Sequence, residues 1–233
     1  MEGLGDIVRR LQPGELSHKD ELLEAHRRID ELEAQISAFA DLRLANEELR
    51  RLTAMPPPIG WRAVVAEVIS RDPERWNERL FVNRGAEDGL VEGAVVLVDG
   101  KVFGRVSGFV AGERHKAEVV SVVSSECRFG VAISGVGAVG VLHGAGANGL
   151  PDGQTGFIVD YLPKDLQVSP EDSIVTSGLG GWMPAGLEVG EIIADGPNGS
   201  RVHSPDAARA MVHGVPDAPF GAFHFVSVLV PQK

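Results

Sequence analysis

A single cysteine, Cys127, stands in a chain of 233 residues, so no intrachain disulfide can form. A lone cysteine suits reducing and oxidising compartments alike. Its flanks, VSSECRFGVAI, read as strand, which makes it a small core residue. A reactive thiol would need a cationic, exposed setting. Aromatic residues are scarce, at 6%. Basic residues are outnumbered, 22 Lys+Arg against 33 Asp+Glu, for a net charge of −11. The chain therefore lacks the clustered basic face that nucleic acid requires, and anionic lipid heads repel it. No apolar run approaches the ~20 residues that span a bilayer, and no cleavable signal pattern opens the chain. As given, it reads as soluble, either unanchored or with an anchor upstream of Met1.

Glycine and proline are absent from 16–54, although the chain holds 29 Gly and 14 Pro. Ser17 with Asp20 and Glu21 resembles a helix start with acids in its first turn. Apolar residues follow at Leu22, Ala25, Ile29, Leu32, Ile36 and Phe39, alternating steps of 3 and 4 as in a coiled-coil seam. The register then slips by one residue and continues through Leu42, Ala45, Leu49 and Leu52. Roughly 40 helical residues span about 60 Å. Such a helix either lies on its own domain or pairs with a second copy, and its length favours a parallel homodimer. Met55-Pro56-Pro57-Pro58 stops it, since three prolines remove three donors and force an extended connector.

From Trp61 onward, short β-branched runs alternate with Gly, Pro and Asp turns. Strands are expected at 64–70, 79–83, 94–98, 101–110, 117–123, 130–133, 137–143, 155–160, 173–177, 188–194 and 222–230. Asp99-Gly100 between VVLV and KVFGRV signals a hairpin. A short helix is expected at Pro205–Val212, and GAGANGLPDG at 144–153 reads as a join between two β units. Many short strands with few helical patterns predict barrels or sandwiches. The fold class is mainly β: a long N-terminal coiled-coil helix followed by two small β-barrel domains.

Chemistry is harder to find. TSGLGGWMPAG at 176–186 holds Ser177 among glycines. A serine nucleophile needs a base and oxyanion donors. The Gly-x-Ser-x-Gly elbow requires glycine where Val175 stands, and no helix follows. The chymotrypsin-type Gly-Asp-Ser-Gly-Gly is also unmatched, with Thr176 in place of the acid. A turn fits better: Gly178, Gly180 and Gly181 allow positive φ, and Pro184 and Gly186 redirect the chain into LEVGEII. A chymotrypsin-like serine hydrolase using Ser177 is the alternative. His203, His213 and His224 share no ligand spacing, His224 reads as solvent-facing, and no phosphate loop occurs, so no metal or cofactor is expected. Asn198-Gly199-Ser200 matches a glycosylation sequon but is more simply a turn. Trp61, Trp76 and Trp182 are either binding anchors or plugs at barrel ends.

The stretch from Asp172 to Gly190, DSIVTSGLGGWMPAGLEVG, resembles the signature of the bacterial rod shape-determining protein MreC family. That signature is V-T-S-G-L-G-G, an aromatic, P-x-G and V-G, here Thr176, Ser177, Gly178, Gly180, Gly181, Pro184, Gly186 and Gly190. AEVISRDP at 66–73 with Trp76, NRGAEDGLVEG at 83–93, the hairpin strand Lys101–Val106, YLPKD at 161–165 and NEELRRL at 46–52 resemble other family segments in order. The resemblance implies a membrane-anchored helix, a dimeric coiled coil and two barrels outside the inner membrane, loosely like those of chymotrypsin but without a triad. It further implies one barrel from 61–73 with 150–233 and an inserted one from 74–149, after a tail at 1–15, the helix at 16–54 and a linker at 55–60. The implied role is a scaffold of the cell-elongation machinery that binds and activates the class B penicillin-binding transpeptidase of peptidoglycan synthesis. MreD and the MreB filament are its implied linked partners, and self-assembly into filaments is implied too. The region after Gly196 is longer than the family pattern.

Overall fold

The computed structural model describes residues 23–24, 26–37, 56–151, 153–169, 171–194, 202–203, 210–221 and 223–232. The chain divides into two units, 1–47 and 48–233. In the first unit, residues 23–24 and 26–37 are helical and exposed. Three seam positions lie there, Ile29, Leu32 and Ile36, with 51%, 43% and 68% of their surface open to solvent. Leu22, Ala25, Phe39, Leu42, Leu49 and Leu52 fall outside the described residues, as does the sequon. No helix among the described residues is long and apolar enough to cross a membrane.

The second unit is built of strands: β1 Trp61–Arg71, β2 Arg79–Val82, β3 Val95–Val98, β4 Lys101–Phe109, β5 Ala117–Ser121, β6 Arg128–Ile133, β7 Val139–Gly144, β8 Phe157–Leu162, β9 Ser173–Thr176, β10 Glu188–Ile192, β11 Ala210–Pro216 and β12 Phe225–Pro231. They close into two barrels, ordered β1-β12-β3-β4-β5-β2 and β10-β11-β8-β7-β6-β9. Every pairing is antiparallel, and the β3–β4 hairpin turns through Asp99 and Gly100 at φ 49° and 81°, the left-handed geometry that Asp-Gly supplies.

The strand partition corrects the expected domain boundaries. Residues 79–121 belong with β1 and β12, and the inserted barrel runs from Arg128 to Pro216. The chain crosses between barrels at 122–127, a tight turn in which Ser124 N–H donates to Ser121 O and Cys127 N–H to Ser124 O. The glycine-rich 144–153 segment, expected as the join, is the β7–β8 loop inside the second barrel. The expected helix at Pro205–Val212 is also corrected: Ala210–Val212 opens β11 and pairs with Leu162 and Val159 of β8, and the remainder lies outside the described residues.

Strand β3 shows why the barrels stay together. All four residues of VVLV are buried, without the in-out alternation of a one-faced strand. Val96 and Val98 point into the first barrel with Phe103, Val106 and Val228. Val95 and Leu97, with Val102 and Leu229, join the core of the second barrel around Phe157, Leu142 and Ile174. The two barrels thus share an apolar seam on the outer face of β3, β4 and β12. Polar ties flank it. Lys101 Nζ reaches Glu188 Oε2 at 3.1 Å and Asp217 Oδ2 at 3.4 Å. The hydrogen bond to Glu188, opposed by burial and aided by the charge of Asp217, raises the Lys101 ammonium above the ordinary lysine value.

Cys127 sits in the crossing turn just before β6 rather than within a strand, and its surface is fully covered. Burial pushes its thiol up to about 12, against a smaller opposing effect of Arg105. An unfolded thiol ionises near about 8.5. The native state therefore holds a proton that the unfolded state loses, and stability contributed by Cys127 falls as pH rises from about 8.5 towards about 12. Ellman's reagent at pH 8 is expected to leave the native thiol unmodified and to titrate one thiol after denaturation. Rapid native labelling would contradict this burial.

A candidate interaction surface at the signature turn

The signature stretch links β9 to β10, antiparallel neighbours in the second barrel. Its base is fastened by Thr176, whose side chain is buried. Thr176 Oγ1 donates to Pro184 O at 2.6 Å and accepts from Leu187 N–H at 3.0 Å, so one hydroxyl at the end of β9 satisfies two backbone groups of the limb leading into β10. Backbone bonds continue the clamp, with Thr176 N–H donating to Leu187 O at 2.9 Å and Gly186 N–H to Thr176 O at 2.8 Å. Gly178, Gly180, Gly181 and Gly186 hold φ of 72°, 91°, 73° and 81°, a region where a Cβ is strained.

Ser177 is spent on this turn. Its hydroxyl accepts from Leu179 N–H at 3.3 Å, and its own N–H donates to Gly130 O at 3.1 Å. Among the described residues, no imidazole bonds that hydroxyl, so the geometry gives the hydrolase alternative no support. His203 and His213 instead stack on each other, ring centroids 4.5 Å apart. No group of His, Cys, Asp or Glu among the described residues is arranged to hold a metal ion.

Gly190, the last glycine of the signature, acts differently. It lies within β10, where a Cβ would stand 2.1 Å from Val215 O and 3.0 Å from two ring atoms of Phe157. Gly214 on β11 faces the same ring, with a Cβ there 2.5 Å from it. The two glycines make the slot that admits a fully buried phenylalanine.

The turn presents what it does not bury. Met183 and Pro184 are buried and anchor it, while Leu179 and Trp182 are 65% and 57% exposed. Trp182 reaches across to the first barrel, its Cβ packed on the Gly93 turn that precedes β3. There it walls an open groove of about 510 Å³ with Leu90, Val91, Val230, Pro231 and Arg62. Arg62 Nη2 donates to Gly89 O at 3.3 Å at the same rim. An exposed indole over an apolar floor with one guanidinium beside it has the composition of a protein-docking site. Of the other tryptophans, Trp61 is half-buried against the second core and Trp76 is 58% exposed. Position 182 was legible as a bulky residue in a turn, but the groove was not, because its other wall comes from residues about 90 positions earlier and from β12.

Comparison with known proteins identifies the family and the fold. The family described as rod shape-determining protein MreC, barrel core, matches residues 68–230. The cell shape-determining protein MreC of Listeria monocytogenes is 30% identical over 170 residues, covering 71% of this chain and 55% of that protein. The chain thus spans about half the length of the relatives it matches. A solved MreC structure from Listeria superposes with a TM-score of 0.62 at 24% identity, covering 91% of this chain and 97% of the other. A solved complex between the penicillin-binding protein PBP2 and MreC from Helicobacter pylori contains a chain with the same fold, TM-score 0.55 at 17% identity, over 74% of this chain and 99% of that one. The matched span opens within β1 and closes within β12, enclosing both barrels and the turn between β9 and β10, and the chain belongs to the rod shape-determining MreC family.

Proposed function

We propose that this chain is a non-catalytic scaffold in the determination of cell shape, docking the elongation-specific class B transpeptidase through the groove walled by Trp182. The carrying observation is the exposed indole that the signature turn sets over a groove between the two barrels. Family membership and the Helicobacter pylori complex of a relative with PBP2 support the choice of partner. Strand addition, one route to docking suggested by an all-β chain, is disfavoured because closed barrels leave no free edge. Recognition then rests on side chains. The test is capture of the soluble domain of the cognate transpeptidase by the protein; absence of binding at tens of micromolar would defeat the reading.

The remaining parts of the proposal concern assembly. Residues 16–54 pair in parallel through Leu22, Ala25, Ile29, Leu32, Ile36, Phe39, Leu42, Leu49 and Leu52, which doubles the docking grooves and adds avidity. The open stripe of Ile29, Leu32 and Ile36 in the isolated chain supports this pairing. The family resemblance adds an extracytoplasmic location, activation of the transpeptidase and linkage to MreD and MreB. Sedimentation of 1–233 beside 61–233 at tens of micromolar is expected to give a dimer and a monomer respectively. Two monomers would remove the coiled coil from the proposal.

A further inference from the structure

A second cleft, of about 250 Å³, opens between the β1–β2 loop of the first barrel and the β7–β8 loop of the second. Glu74, Trp76, Asn77 and Glu78 form one wall; Asn148 and Thr155 stand on the other, beside the bare backbone of Gly146, Gly149 and Gly153. The Trp76 indole is 58% exposed and braced, with the Arg71 guanidinium over its ring at 5.5 Å from the centroid. Arg71 is itself fixed, lying 4.4 Å over the Phe223 ring and donating to Gly221 O at 3.1 Å.

The tryptophan-bearing loop is held in place from below. Ser121 Oγ donates to Asn77 O at 2.6 Å, and Ser121 N–H donates to Glu78 O at 2.8 Å. The cationic side of the cleft is neutralised: Arg75 pairs with Glu126 at 3.0 Å, and Arg79 pairs with both Glu126 and Glu118. What faces a ligand is an aromatic plane ringed by carboxylates, amides, a hydroxyl and the ion-paired guanidinium of Arg75.

Each class of ligand meets this surface differently. A phosphate or sulfate would approach Glu74 and Glu78 with its charge opposed and the guanidiniums already engaged. A purely apolar segment would strip water from the polar rim without replacing its hydrogen bonds. A neutral sugar ring satisfies both parts. Its C–H face stacks on the electron-rich face of the indole, and its hydroxyls donate to carboxylates and exchange bonds with amides. The volume is below the ~300–1,000 Å³ of drug-sized sites, which limits the occupant to a short stretch of saccharide.

We propose that this cleft binds a neutral saccharide, with one ring stacked on Trp76 and its hydroxyls held by Glu74, Asn77 and Asn148. The probe is chitotetraose, a neutral oligomer of N-acetylglucosamine, titrated into the full chain and followed by calorimetry and tryptophan fluorescence. Saturable binding with a Kd of about 1 mM or tighter is expected. Trp76→Ala is expected to weaken it at least about tenfold, a loss of ~1.4 kcal/mol, and Trp182→Ala to leave it unchanged. Asn148→Ala, on the opposite wall, supplies a second variant should Trp76→Ala fail to fold. No saturable signal to about 10 mM, Trp76→Ala and Asn148→Ala proteins that bind as tightly as the parent, or equal affinity for a sulfated heparin oligosaccharide would each overturn the proposal.

Discussion

Replacing Gly190 by valine is expected to lower the thermal midpoint by roughly 6–12 °C, equivalent to about 3 kcal/mol or more for a protein of this size. The added Cβ alone would stand 2.1 Å from Val215 O, a backbone atom of the paired strand. It cannot be accommodated by a rotamer change. β10 must separate from β11, which disrupts the pairings Gly190↔Pro216, Glu191↔Val215 and Ile192↔Gly214. The same Cβ crowds Phe157, one of the largest fully buried side chains, at 3.0 Å. Gly186→Ala gives the matched comparison. No atom lies within 4 Å of a Cβ there, and the cost arises only from its φ of 81°. About 1 kcal/mol is expected at Gly186. Differential scanning calorimetry of the two variants separates crowding from backbone strain, and a Gly190→Val protein melting with its parent would refute the slot.

Trp182→Ala is expected to weaken transpeptidase binding at least about 30-fold, the ~2 kcal/mol typical of a central aromatic anchor. Because 57% of Trp182 is already exposed, the folded barrels lose little when it is truncated, and the melting midpoint should stay near that of the parent. Surface plasmon resonance on the soluble transpeptidase domain reads the affinity. A dissociation constant within threefold of the parent's would move the docking site away from this groove. Leu179→Asp on the same turn tests the breadth of the contact: Leu179 is 65% exposed and does not line the groove, so a groove-centred interface leaves it nearly silent.

Local signals in the sequence were reliable where a local cause governs. Eleven of the observed strands fall where β-branched runs alternate with turn residues, and the Asp99-Gly100 hairpin turns with the expected left-handed φ values. The glycines of 178–186 were legible as turn geometry because positive φ is a property of single residues. Three features were not legible. The division into barrels depends on which strands pair, and β3 with its uniformly buried VVLV carries no mark of serving both cores. The opening of strand β11, Ala210–Val212, falls within an expected helix, and its pairing with β8 outweighs that local preference. The role of Gly190 is a close approach between strands, which only the register of β10 against β11 reveals.

The pairing of β1 with β12 has a consequence for the order in which the molecule can be made. All six strands of the second barrel lie between Arg128 and Pro216, so that barrel is complete while the first still lacks a stave. Val64 must wait for Val228, and Val95 for Leu229, before the first barrel closes. During vectorial synthesis the early strands therefore expose unpaired edges until β12 emerges. A chain terminated and released just short of Phe225 would hold one finished barrel and one open, adhesive sheet.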